Sequence, residues 1–194
     1  GDTNCDKVFA ANLAVPLVSV GDGVDSWPAL AESLSTQPRV ATVQRRTAET
    51  DVAVTVNLDS GAASSDIATG IGFFDHMLAQ LARHSGIAMQ INVKGDLHID
   101  EHHTVEDTAL ALGEALRRAL GDRHAIERYA FVLPMDESLA SVALDLSGRP
   151  LLVWSADFPR ENVGGLPTEL VSHFFRSLTE TLGATLHVDV KGDN

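Results

Sequence analysis

Alternation of apolar and polar residues predicts strands and helices in turn from about residue 38 onward. Val40, Thr42 and Gln44 alternate with the residues between them, and Val52, Val54 and Val56 do the same. This alternation is typical of half-buried strands. An amphipathic pattern over residues 73–85 predicts a helix with one apolar face, formed by Phe74, Met77, Leu78 and Leu81. A strand is predicted next at residues 89–93, and a second helix at 104–120.

The second half of the chain repeats this plan. Strand patterns at 131–142 and 143–158 precede a predicted helix at 168–182 and a strand at 185–190. His76 falls on His173, 97 residues later, and Lys94-Gly95-Asp96 falls on Lys191-Gly192-Asp193 at the same offset. A helix, a strand and a turn in one register predict an internal duplication. Two such units predict an α+β fold in which each sheet carries helices on one side.

Composition and charge limit the classes of function that the protein can have. Hydrophobic residues make up 44% of the 194 positions and charged residues 21%, as in ordinary globular proteins. The net charge of −13 argues against a nucleic-acid partner, which needs a basic face, but leaves room for a small phosphorylated substrate. We expect no membrane partner, since no apolar run approaches eighteen residues. Cys5 is the single cysteine, which suits a reducing cytoplasm.

Histidines concentrate in the middle of the chain, around the segment Asp100-Glu101-His102-His103-Thr104-Val105-Glu106-Asp107. In a helix, Glu106 follows His102 by four residues and His103 by three, so either pair can share a face. Adjacent His102 and His103 diverge by about 100° around the helix axis. Two metal ions, each taking one of these histidines, are therefore the simpler arrangement. Imidazole and carboxylate ligands suit Mn, Fe, Zn or Ni better than Mg or Ca.

A histidine pair that caps a helix or is solvated is the alternative interpretation of this segment. A second histidine-bearing helix, His76 to His84, and its repeat image at His173 favour metal binding. The remaining histidines have no such surroundings and are interpreted as ordinary ones: His98, His124 and His187.

Six segments of the chain resemble imidazoleglycerol-phosphate dehydratases, and they occur in family order over about residues 38–194. They are Arg45-Arg46-Thr47-Ala48-Glu49-Thr50, Gly72-Phe73-Phe74-Asp75-His76-Met77-Leu78, the stretch from Asp96 to Asp107, Pro134-Met135-Asp136-Glu137, Asp145-Leu146-Ser147-Gly148-Arg149-Pro150, and Thr168-Glu169-Leu170-Val171-Ser172-His173-Phe174-Phe175. The resemblance implies a duplicated unit of the ribosomal protein S5 domain 2-like type. Repeat 1 would span about 38–121 and repeat 2 about 122–194.

The resemblance also implies an activity and a set of site residues. The family removes water from imidazole glycerol phosphate in histidine biosynthesis, with two manganese ions at contacts between subunits of an oligomer of twenty-four chains built from trimers. The implied metal ligands are His76, His102, His103, Glu106 and His173. His84 and Glu49 match substrate-contacting positions, and Glu49 is the carboxylate we expect to shuttle protons. Arg128 and Arg149 match positions that hold the phosphate group.

One departure from the family lies at the end of the sequence. The family has a second His-His-x-x-Glu motif after the segment that matches Lys191-Gly192-Asp193-Asn194, where this sequence stops. We therefore expect the 194-residue chain to lack three metal ligands and to be inactive or unable to hold both ions.

Residues 1–36 resemble a different family. Gly1-Asp2-Thr3-Asn4-Cys5-Asp6, followed by Phe9 to Val15, is similar to the last acidic motif of haloacid-dehalogenase (HAD)-type α/β phosphatases, where such a loop helps to hold Mg²⁺. Asp2 and Asp6 would be the remnant of that site, although an Asp-rich helix cap is an alternative. Some bacteria fuse a histidinol-phosphatase to the dehydratase, so we expect the parent protein to hydrolyse histidinol phosphate as well.

A non-catalytic function stays open beside the enzyme. A metal-binding oligomeric module would use the histidines without a phosphate clamp, so Arg128 and Arg149 near the metal would count against it. Turnover of substrate by the full-length protein separates the two hypotheses.

Overall fold

The computed structural model describes residues 4–13, 27–28, 38–123, 126 and 132–192. The chain divides into two compact units, residues 1–38 and 39–194. In the first unit, α1 (Asn4–Asn12) is the described helix. Asp2 and the side chain of Asp6, which we predicted as a Mg²⁺ remnant, lie outside the described residues.

The second unit contains two four-stranded sheets. The first has the order β1-β2-β4-β3, and its strands are β1 (Val40–Arg46), β2 (Thr50–Asn57), β3 (Asp66–Ala68) and β4 (Ala88–Gly95). The second has the order β5-β6-β10-β7, with β5 (Val132–Met135), β6 (Ser138–Asp145), β7 (Leu151–Ser155) and β10 (Thr185–Lys191). In both sheets the first two pairs are antiparallel and the last pair is parallel. The two topologies are therefore identical.

Three helices, a 3₁₀ turn and two short strands complete the described part of this unit. The helices are α2 (Gly72–Ser85), α3 (His102–Leu120) and α4 (Glu169–Leu182). A 3₁₀ turn lies at Ala62–Ser64, and β8 (Asn162–Val163) pairs with β9 (Leu166–Pro167). The helices predicted at 73–85, 104–120 and 168–182 are thus confirmed within two residues. Among the described residues, no helix is long and apolar enough to cross a bilayer.

The first sheet buries the face that the β2 and β4 patterns predict. Val52, Val54 and Val56 are fully buried, and Met89 and Ile91 of β4 lie beside them in the same core. Helix α3 packs on β1 and β2, and it also packs along α4, which contacts β7 of the second sheet. This core holds the start of α3 in a fixed place beside α4.

Three pattern predictions were wrong in detail. In β1 the buried residue is Val43, not Val40, because Val43 pairs with Val54 and cross-strand partners point to the same face. The predicted strand at 131–142 is broken by a turn at Asp136, whose φ of 50° is left-handed.

The third difference lies in α2. Phe74 and Leu78 are buried, whereas Met77 and Leu81 are 46% and 40% exposed. The two pairs lie on separate stripes of the helix, and the sheet covers one of them.

Helices α3 and α4 approach each other closely at Gly113. A Cβ atom at this position would collide with Thr181 Oγ1 and lie 2.5 Å from the carbonyl oxygen of Leu178. Thr181 Oγ1 also donates a hydrogen bond of 2.8 Å to the carbonyl oxygen of Leu110 in α3. Because glycine has no side chain, the backbones of α3 and α4 can come together at Gly113. The two helices run in the same direction.

Candidate metal centre

The first turns of α3 and α4 bring three candidate ligands together. His102 is the first residue of α3, Glu106 follows one turn later, and His173 lies in the second turn of α4. His102 Nε2 lies 3.3 Å from Glu106 Oε2, and His173 Nε2 lies 3.7 Å from Glu106 Oε1. One ligand atom from each of the three residues lies within 4.8 Å of the others. This spacing allows one cation to contact all three side chains.

The donor set fits a divalent transition metal. His173 Nε2 is buried and has no hydrogen-bond partner among the residues that the structure describes. An unpartnered buried ring nitrogen is costly unless something binds it, and a metal ion is the natural partner for a neutral imidazole. The rings of His102 and His173 lie with centroids 4.5 Å apart, and the carboxylate of Glu106 supplies negative charge. Two imidazoles and one carboxylate suit Mn, Fe, Zn or Ni.

His103 faces a different set of groups. Its Nδ1 atom lies 3.1 and 3.2 Å from the two carboxylate oxygens of Asp96, which follows the end of β4. The hydrogen bond with Asp96 raises the pKa of His103, and the negative charges of Asp96, Asp100 and Glu49 add to the rise. Because a carboxylate accepts, Nδ1 is the donor in this contact and Nε2 is left to bind a ligand, as happens when a carboxylate holds a metal-binding histidine.

Glu49 reaches this region from the turn between β1 and β2. The side chain is exposed, and it is close enough to His103 to act on the charge of the ring. The turn is closed by a hydrogen bond of 2.9 Å from the Thr47 N–H to the carbonyl oxygen of Thr50. Glu49 and the start of α3 thus lie on one side of the protein.

Other predicted site residues in the described part of the chain do not belong to the cluster of His102, Glu106 and His173. His76 and His84 lie exposed on α2, where the ring of His76 is 6.5 Å from that of Phe73. The carbonyl oxygen of Arg149 accepts a hydrogen bond of 3.1 Å from Thr185 Oγ1, just beyond the C-terminal end of α4. A helix rises by about 1.5 Å per residue, so His173 lies about 14 Å along the axis from the C-terminal end of α4. Arg128 lies outside the described residues.

Sequence reasoning missed two carboxylates that organise the site. Asp96 holds His103, and Asp107 accepts hydrogen bonds from Arg45, Thr47 and Thr50. The spacing of residues could have pointed to Asp107, because it follows His103 by four residues and so shares its face of α3. Burial of Asp107 then required partners from another element.

Comparisons with known proteins identify the family of this chain. The family model described as imidazoleglycerol-phosphate dehydratase matches residues 69–194. The "Histidine biosynthesis bifunctional protein HisB" of Stenotrophomonas maltophilia (strain K279a) is 54% identical over 198 residues, which covers 100% of this chain and 55% of that protein. The protein of the same name from Spirosoma linguale is 57% identical over 168 residues, covering 87% and 44%. The chain spans about half the length of the curated relatives it matches.

Solved structures give the same result. The crystal structure of imidazoleglycerol-phosphate dehydratase from Staphylococcus aureus superposes with a TM-score of 0.70 at 35% identity, covering 80% of this chain and 85% of that one. That of the Pyrococcus furiosus enzyme, in complex with (S)-C348, superposes with a TM-score of 0.62 at 29% identity, covering 78% and 81%. The mixed α+β fold and the sequence together show that this chain belongs to the imidazoleglycerol-phosphate dehydratase family.

Proposed function

We propose that this chain is the dehydratase part of a bifunctional enzyme of histidine biosynthesis. In this reaction, imidazole glycerol phosphate loses water to give imidazole acetol phosphate. Membership of the family and the names of the curated relatives support the assignment. The cytoplasm is the proposed location, since a single cysteine at position 5 suits a reducing compartment.

The observation that carries the proposal is the cluster of His102, Glu106 and His173. The unpartnered buried Nε2 atom of His173 faces a carboxylate and a second imidazole, and this set of groups supports the binding of a cation. We propose Mn²⁺ as the ion. When bound, it supplies Lewis-acid stabilisation of negative charge on the imidazole ring of the substrate.

The proposed roles of the other groups follow from their positions. Asp96 holds the Nδ1 proton of His103, so that Nε2 of His103 serves as a ligand to a second ion. Glu49 lies nearby on an exposed turn and is the candidate to take and return a carbon-bound proton of the substrate.

A complete site requires more than one copy of the chain. His76, His84 and Arg149 lie away from the His102–Glu106–His173 cluster in a single chain. We therefore propose that neighbouring copies of a homo-oligomer supply His76 as a further metal ligand, His84 as a substrate contact, and Arg128 and Arg149 for the phosphate.

The finer description of the fold is also a proposal. The matching topologies of the two sheets, and helices α2 and α4 that begin 97 residues apart, support an internal duplication. For residues 1–36 we propose the remnant of a HAD-type histidinol-phosphatase domain that uses Mg²⁺. The matches to proteins named bifunctional over 100% of the chain support this.

The test uses the full-length protein with imidazole glycerol phosphate. Chelation should abolish dehydration and added Mn²⁺ should restore it, whereas Glu106→Gln should be inactive with either treatment. Asp59→Asn, at an exposed position with its own partner Arg39, is the control and should keep full activity. A protein that binds Mn²⁺ through His102 and His173 without turning over the substrate would instead be the non-catalytic metal-binding module.

A further inference from the structure

Three side chains at and beside the β1–β2 connection converge on a single buried carboxylate in α3. Asp107 is 6% exposed, and its oxygens accept hydrogen bonds from Arg45 Nε at 2.7 Å, from Thr47 Oγ1 at 3.3 Å and from Thr50 Oγ1. Arg45 lies at the end of β1, Thr47 lies in the β1–β2 connection that carries Glu49, and Thr50 begins β2. The turn is thereby attached to the helix that carries His102, His103 and Glu106.

The attachment extends to the backbone of Glu49. The N–H of Glu49 donates to Thr47 Oγ1 at 3.2 Å, and the N–H of Thr50 donates to the same oxygen at 3.0 Å. The hydroxyl of Thr47 in turn donates to Asp107. A short chain of hydrogen bonds therefore runs from the amide of Glu49 to the carboxylate of Asp107.

These donors compensate for the burial of the Asp107 carboxylate. Burial by itself would raise the pKa of Asp107, but the hydrogen bonds from Thr50, Arg45 and Thr47, with the charge of Arg45, lower the pKa below its usual value. A buried carboxylate that lost these donors would be left with unpaired polar atoms, which is costly. Charge-assisted hydrogen bonds are also about twice as strong as neutral ones.

We propose that Asp107 is a positioning residue that fixes the Arg45–Thr50 turn, and with it Glu49, beside His103 on α3. The proposal rests on the proposed function, because it gives Asp107 its effect on catalysis through Glu49. Asp107 is not one of the clustered candidate ligands His102, Glu106 and His173. Its side chain follows His103 by four residues, so it lies on the same face of the helix and one turn further in.

The same pair of strands contains a matched control. Arg39, just before β1, and Asp59, just after β2, form an arginine–aspartate pair with an Nη2–Oδ1 distance of 2.6 Å. Their side chains are 46% and 40% exposed, and they lie at the end of the strands remote from the turn. Asp59→Asn therefore removes the same chemistry without touching Glu49 or α3.

The kinetic test compares Asp107→Asn, Glu49→Gln and their double variant in the full-length Mn²⁺-loaded protein. We expect Asp107→Asn to lower kcat by about 10- to 100-fold with little change in KM, since a misplaced catalytic group costs about that much. The double variant should lose no more than Glu49→Gln alone. A purely structural Asp107 would give losses that multiply, and that result overturns the proposal. Asp59→Asn should retain the wild-type kcat.

A second measurement does not depend on activity. Amide hydrogen exchange at Glu49 and Thr50 should accelerate in Asp107→Asn, while the amides of β4 keep their protection and Asp59→Asn changes neither. Thr50→Val, which removes one donor and keeps the Arg45–Asp107 pair, replaces Asp107→Asn if that variant does not fold. Unchanged exchange at the turn in either variant overturns the positioning role, even if the protein proves not to be a dehydratase. A wild-type protein without turnover contradicts only the proposed function.

Discussion

Helices α2 and α4 occupy corresponding places in the two halves of the molecule, yet they present their histidines to different surroundings. Both have fourteen residues, and both end at a glycine with positive φ, 71° at Gly86 and 66° at Gly183. His76 and His173 lie at the same position in the two helices. His173 nevertheless joins the cluster with His102 and Glu106, whereas His76 is exposed on the surface of a single chain.

The neighbours of the two helices explain the difference. Helix α4 packs along α3 at Gly113, so its second turn lies beside the first turn of α3. Helix α2 packs instead on β3, β4 and the 3₁₀ turn at Ala62–Ser64. An equal place in a repeat therefore gives equal secondary structure but not equal function, because the partner helix decides what each histidine meets.

Metal binding should show the largest contrast between the two helices. We expect Glu106→Gln and His173→Ala each to weaken Mn²⁺ or Zn²⁺ binding by more than the about 10- to 100-fold typical of losing an outer-shell partner. In dilute protein, His76→Ala should leave the affinity unchanged, since His76 lies outside the cluster. Calorimetric titration of the three variants decides the point. If His76→Ala weakens binding as much as His173→Ala in dilute protein, the contrast between the helices disappears.

The same titration at high protein concentration sharpens the comparison. If neighbouring copies supply His76, the effect of His76→Ala should appear only where copies associate, because binding is then linked to assembly. An effect of His76→Ala that does not change with concentration would contradict this explanation.

The close approach of α3 and α4 should be sensitive to added volume. Gly113→Val should lower the free energy of unfolding by about 1–3 kcal/mol, because the new side chain would collide with Thr181 and the backbone of Leu178. Gly72→Ala is the control, since a Cβ atom there, in the first turn of α2, meets nothing within 4 Å. Urea unfolding measures both. A Gly113→Val variant as stable as Gly72→Ala would show that the helices separate without cost.

The C-terminal glycines of the two helices allow a closer comparison. Gly86→Ala and Gly183→Ala should each cost about 1–2 kcal/mol, because alanine in a left-handed conformation brings its Cβ close to the carbonyl oxygen. Gly183→Ala should cost more, since its Cβ would lie 3.3 Å from Gly148 Cα, whereas Gly86 faces open space. Thermal unfolding of the two variants under one condition tests the order. Equal losses of stability in the two variants would mean that Gly148 moves away from the new Cβ atom without cost.

The smallest expected effect concerns one hydrogen bond between α3 and α4. Thr181→Val should cost about 0.5–1.5 kcal/mol, because the hydroxyl donates to the carbonyl oxygen of Leu110 in the neighbouring helix. Ser172→Ala is matched to it, since the Ser172 hydroxyl donates within its own helix to Glu169. We expect Ser172→Ala to lose less, and urea unfolding compares the two. If Ser172→Ala instead lost more stability than Thr181→Val, the Thr181 hydroxyl would not be a contact that holds α4 against α3.

Periodicity along the chain predicted much of the fold. The helices and the buried faces of β2 and β4 followed from it, because each apolar series is long and has one period. The phase of β1 did not follow, since Val40 and Val43 are equally apolar and only the pairing of Val43 with Val54 selects the buried one. Met77 and Leu81 were placed with Phe74 and Leu78 for a similar reason, as the sequence does not show how wide a stripe the sheet covers.

The candidate site also has a part that the sequence predicts and a part that only the structure shows. The sequence by itself determined that His102 and Glu106 share a face of one helix, because a spacing of four residues is a property of the helix alone. Only the tertiary structure decided that His173 joins them, and that Asp107 attaches the Glu49 turn to α3. These contacts join residues at least 57 positions apart. They depend on how closely the helix and strand backbones approach, and that distance is set by packing at positions such as Gly113, not by any local pattern.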